Sequence, residues 1–112
     1  MHYFLKKMMI CSVYACGLWI VSVQAQEEIW IDVRTAHEYQ DGHVAGASHI
    51  PYEEVGIRIA DIISDKDAVI HVYCRSGNRA GIALKVLHDM GYQNAHNDGG
   101  LSNLKHEVSI VK

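Results

Sequence analysis

Cys74-Arg75-Ser76-Gly77-Asn78-Arg79 places a nucleophile, two cations and a flexible backbone within six consecutive residues. A thiol reacts as its thiolate, and the thiolate forms near neutral pH where positive charge and backbone N–H groups converge on the sulfur. Gly77 lets the chain turn with its N–H groups inward, Arg75 and Arg79 supply guanidinium groups, and Ser76 and Asn78 add side-chain hydrogen bonds. The chemistry these types support is covalent attack by Cys74, with an anionic substrate or product held by Arg75, Ser76, Gly77, Asn78 and Arg79. On residue type alone a single Cys reads as a small buried hydrophobe. The run of Arg, Ser, Gly, Asn and Arg behind it is hard to obtain from packing needs and favours the nucleophile.

A site of this kind needs a strand that delivers Cys74 and a helix whose N-terminus faces it. Residues 68–73, Ala-Val-Ile-His-Val-Tyr, are mostly apolar, as a central parallel strand covered on both faces would be. Beyond the loop, Ala80, Ala83, Leu84, Leu87 and Met90 fall at helical spacing, and Gly91 marks the stop. Upstream, 29–33 reads as a buried strand, and Thr35 caps a short helix over 36–40 that Asp41-Gly42 ends. Residues 43–47 form a turn and 48–50 a second short strand stopped by Pro51. Val55, Ile59, Ile62 and Ile63 define a helix over 53–64. Downstream, 94–97 is a last strand, Asp98-Gly99-Gly100 a turn, and 101–107 a short terminal helix. Alternating β and α elements of this length predict one α/β domain, an open, mostly parallel sheet with helices on both faces.

Read together, the motifs resemble the rhodanese family of sulfurtransferases, in its small exported single-domain form. Ile31-Asp32-Val33-Arg34, Glu38-Tyr39, Gly42-His43-Val44-Ala45-Gly46-Ala47 and Ile50-Pro51 match the family's N-terminal signature in order and spacing. Cys74 to Arg79 matches its active loop, and Asp98-Gly99-Gly100-Leu101 its C-terminal motif. The resemblance implies a rhodanese-like fold and a ping-pong reaction. Cys74 takes the outer sulfur of a donor such as thiosulfate, holds it as a persulfide, and passes it to cyanide or a thiol. Arg79, with Arg75, holds the anionic donor, while Asp32, Arg34 and His43 brace the fold. Leu104 is a departure, standing where many relatives carry Trp.

A rival chemistry uses the same scaffold with a C-x5-R loop to cradle phosphate or arsenate. Four residues separate Cys74 from Arg79, and that smaller cradle suits a persulfide sulfur better than a tetrahedral oxyanion. A second alternative is a sulfur-carrier or partner-binding module without small-molecule turnover. Metal binding finds no support: within 26–112, His37, His43, His49, His71, His88, His96 and His106 form no H-x3-H pair, and the one Cys there is too few for structural zinc. No cofactor is expected.

The first residues set the compartment. Lys6-Lys7, an apolar run over 8–23, and Val23-Gln24-Ala25 have the form of a secretory signal cleaved after Ala25. The run is 16 residues, short of the roughly 20 that cross a bilayer. The expected division is therefore a signal peptide, 1–25, and a rhodanese-like domain, 26–112, in the periplasm and off the membrane after cleavage. Cys11 and Cys16 leave with the leader, so Cys74 has no internal disulfide partner. Removing Lys6 and Lys7 from the 10 Lys and Arg leaves eight against 13 Asp and Glu, a net charge of −5 over the 87 remaining residues. That balance repels nucleic-acid backbones. A chain of that length forms one small domain, burying roughly 60–65% of its unfolded surface. Nothing in it requires a partner chain, and a monomer is the expectation.

Overall fold

The structure, a computed structural model, describes residues 28–112, so the expected leader and its cleavage site lie outside the described residues. The central sheet contains β1 (Glu28–Asp32), β3 (Ser48–His49), β4 (Val69–Cys74) and β5 (Ala95–Gly100) in the order β3-β1-β4-β5. All three pairings are parallel. β4 is central, as its apolar run predicts, with Ile31 opposite Val72 on one side and Ile70 opposite Ala95 on the other. Its one polar interior residue, His71, stacks on Trp30 with ring centroids 4.3 Å apart, and its nitrogens lie 3.0 Å from carboxylate oxygens of Asp98 and Glu28.

Strand alternation splits the core into two unequal layers. On one face Ile31, Ile70, Val72, Cys74 and Ala95 pack with Val55 and Ile59 of α2 (Val55–Ile62) and with Ala80, Ala83 and Leu87 of α3 (Asn78–Asp89). These helical positions are among those the 3.6-residue periodicity picks out, but Ile62 of the expected stripe is 44% exposed and the buried Ile63 lies just past the helix end. On the other face Trp30 and Tyr73 pack with Val44, Ala47 and Leu104. That layer is thin. It consists of the four-residue α4 (Leu101–Leu104) and an antiparallel ribbon of β2 (His43–Val44) with β6 (Ile110–Val111). Leu104, the departure from the family pattern, is 5% exposed and fills this layer.

α1 (Ala36–Asp41) begins with the cap its sequence predicts. The Glu38 N–H donates to Thr35 Oγ1 at 3.2 Å and the Thr35 N–H to Glu38 Oε1 at 3.0 Å, a closed capping box. Other expectations shift. Residues 43–44 pair with β6 rather than forming only a turn, a two-residue ladder too short to carry any periodicity. A 3-10 turn over Tyr52–Glu54 precedes α2. Strand β5 runs through Asp98-Gly99-Gly100 because a register shift against β4 absorbs the glycines. The terminal helix stops at Leu104, and the chain continues as turns in which the Glu107 and Val108 N–H groups both donate to the Leu104 carbonyl. Among the described residues no helix is long and apolar enough to cross a membrane.

Candidate active site

β4 is buried to its last residue, and that residue is Cys74, fully buried and the free cysteine among the described residues. The chain then turns at once into α3, so the sulfur sits under the first turn of the helix. Gly77 makes the turn at φ +100°, a region that only glycine enters without strain. The Gly77 N–H donates to Cys74 Sγ at 2.9 Å and the Ala80 N–H at 3.4 Å. Burial by itself would raise the thiol. The N–H groups of Ala80, Ser76, Gly77 and Arg79 outweigh it and hold Cys74 below the ordinary thiol value. The cradle is thus made of main-chain dipoles, a concave set of N–H groups that favours negative charge on sulfur.

The two arginines are placed differently. Arg79 is anchored: its Nη1 and Nη2 donate to Glu38 Oε1 and Oε2 at 2.8 and 3.1 Å, joining α3 to the capping box of α1. This pairing holds the Glu38 carboxyl down to about 2 and raises Arg79, with the Cys74 charge adding a smaller contribution. Arg75 is exposed beside the loop. Ser76 faces the sulfur with its backbone N–H, while the Ser76 and Asn78 residues are exposed at the loop surface.

Behind the loop stand residues that the sequence reading did not assign to the site. Asn97 Nδ2 donates to the Gly77 carbonyl at 3.0 Å, and Asn97 Oδ1 accepts the Gly99 N–H at 2.9 Å. Gly100 lies so close to the loop that any Cβ there would overlap the Arg75 carbonyl oxygen. The Asp98-Gly99-Gly100 string signals a special backbone. Asn97, one polar residue in a short strand, carries no such signal.

Asp32 and Arg34 form a buried pair at the end of β1. Arg34 Nη2 donates to Asp32 Oδ2 at 2.6 Å and to the Gly42 carbonyl at 2.7 Å. Tyr73 O–H donates to Asp32 Oδ2 at 2.9 Å and accepts the Val44 N–H at 3.0 Å. His43 Nδ1 donates to the Tyr39 carbonyl at 2.7 Å and its ring stacks on Tyr39. Every one of these bonds joins fold elements to one another, and none reaches the sulfur. Among the described residues no group of three or more His, Cys, Asp or Glu side chains could hold a metal ion.

The profile of the family described as "Rhodanese-like domain" matches residues 20–107. The chain belongs to the rhodanese family. This rhodanese is 46% identical over 77 residues to thiosulfate sulfurtransferase PspE of Escherichia coli K12, covering 69% of this chain and 74% of that protein. It is 33% identical over 88 residues to a sulfurtransferase of Allochromatium vinosum, covering 77% and 80%. Among solved structures, a rhodanese with anions from E. coli superposes with a TM-score of 0.73 at 43% identity, over 77% of this chain and 99% of that one. The mostly parallel sheet expected from the alternating elements is the rhodanese fold.

Proposed function

We infer that this rhodanese is a thiosulfate sulfurtransferase that works through a persulfide on Cys74. The observation that carries this reading is the ring of N–H groups on a fully buried Sγ, in a loop whose span from Cys74 to Arg79 leaves four residues between them. Such a cradle stabilises one negative charge on or beside sulfur before and after transfer. The Cys74 thiolate bonds to the outer sulfur of thiosulfate, the donor's S–S bond breaks, and sulfite leaves with the bonding pair. The bound sulfur then passes to cyanide, giving thiocyanate, or to a thiol, and Cys74 returns as thiolate. Arg75, Ser76, Gly77, Asn78 and Arg79 form the donor cradle, with Arg75 and Arg79 balancing the donor's charge.

The protein is read as exported to the periplasm, with 1–25 as the leader and 26–112 as the working domain, acting as a monomer. The basic start, apolar run and small residues at 23 and 25 support this, and N-terminal sequencing of the exported protein tests it. The chemistry is tested by the intact mass of the purified protein before thiosulfate, after thiosulfate, and after cyanide. One sulfur atom is gained and then lost, and Cys74→Ser gains none while keeping the fold. A protein that takes no sulfur, or a Cys74→Ser variant that still turns over, overturns the assignment.

A further inference from the structure

Beside the Cys74 loop lies a cleft of about 770 Å³ bounded by α1, Arg75, α4 and β6. It is far larger than thiosulfate or cyanide requires and lies within the range that holds small organic ligands. Two of its charges are already satisfied. Arg34 pairs with buried Asp32 at 2.6 Å, and Glu38 with Arg79 at 2.8 Å. Asp41 faces His37 at 3.5 Å. Arg75 and Lys105 also line the cleft, exposed cations without an ion pair among the described residues. Leu101 and Ile110 supply apolar wall to the same cleft, Ile110 being 37% exposed.

We propose that this cleft is the acceptor subsite and that Lys105, with Arg75, selects thiols bearing a carboxylate. The inference rests on the Cys74 persulfide reading and adds the class of acceptor. A carboxylate between Lys105 and Arg75 lays the intervening carbons along Leu101 and Ile110 and leaves the thiol end at the loop. The acceptor thiolate then bonds to the outer sulfur, the Sγ–S bond breaks, and Cys74 leaves as thiolate. No electrons enter or leave the pair, and the acceptor departs as a persulfide. A neutral thiol of equal length gains nothing from the two cations, so the site discriminates by charge.

The test compares 3-mercaptopropionate with 2-mercaptoethanol as acceptors, thiosulfate being the donor. In a ping-pong scheme kcat/KM for each substrate reports its own half-reaction. The wild type prefers mercaptopropionate once each rate is referred to its thiolate fraction. Lys105→Glu lowers the mercaptopropionate-to-mercaptoethanol ratio by about fivefold, the size expected for exposed charges, and Lys105→Arg restores it. An unchanged ratio in Lys105→Glu overturns the proposal, as does an equal fall in kcat/KM for thiosulfate, which would mark a general field effect. Intact mass separates the two readings: a wild type that gains no sulfur from thiosulfate fails at Cys74 and takes the acceptor site with it. One that loads normally but shows no charge preference removes the acceptor site alone.

Discussion

At the scale of single residues, the reactivity of Cys74 is a contest between burial and main-chain N–H groups, and the N–H groups win. A thiolate alkylates and a thiol does not, so the rate of iodoacetamide modification against pH reports the outcome. Its midpoint is expected below about 8.5, the ordinary thiol value, and a midpoint above it would mean that burial dominates. In the proposed reaction the arginines act on the donor rather than on the thiol. Arg79 is fixed by two bonds to Glu38, so in that reading its guanidinium is held in place at little entropic cost, with its charge shared with the carboxylate. Arg79→Ala should raise KM for thiosulfate by roughly tenfold, as for loss of a charge-assisted contact, with a smaller change for an uncharged donor. Equal KM values in wild type and variant would remove the arginine from the donor site.

At the scale of elements, the cradle is only as good as the supports of its loop. Asn97 on β5 donates to the Gly77 carbonyl, which also accepts the Gly81 N–H, and so braces the peptide unit next to the one whose N–H donates to Sγ. Asn97 is exposed, and its loss should cost only about 1 kcal/mol of stability. Its effect on the sulfur should be larger in kind: Asn97→Ala and Asn97→Asp both lose the donor to Gly77, and both should move the alkylation midpoint upward. An unmoved midpoint in both variants would make the contact structural only. This is also the level at which the sequence stops being readable. The strand before Cys74, the stripe on α3 and the Thr35 capping box were legible because each rests on local periodicity or a local cap. The Cys74 loop was legible from residue chemistry within six positions. The β2–β6 ribbon and the Asn97 brace were not. Each joins residues distant in sequence, Val44 with Ile110 and Gly77 with Asn97, through two-residue ladders or single bonds that leave no repeating trace.

At the scale of the whole molecule, two charged ties join the N-terminal signature to the Cys74 half. The Asp32–Arg34 pair reaches Tyr73 at the end of β4 and the Gly42 carbonyl before β2. The Glu38–Arg79 pair clamps α1 to the start of α3. The second tie titrates in an accessible range. Glu38 is lowered from 4.5 to about 2 by its bonds to Arg79, burial opposing, with Thr35 N–H and O–H bonds adding to the lowering. A carboxyl whose folded value is depressed stabilises the fold above its unfolded value and loses that contribution as pH falls toward the folded one. The stability difference between wild type and Glu38→Gln is therefore expected to be full at neutral pH and to shrink between about 4.5 and about 2. Other carboxylates titrate in both proteins and cancel in the difference. Urea unfolding at neutral pH and at several points through that window measures it directly, and added salt should reduce the neutral-pH difference because both side chains are partly exposed. A difference that stays constant down to the lowest pH would mean that Glu38 acts through its capping hydrogen bonds, which Gln retains in part, and not through its charge on Arg79.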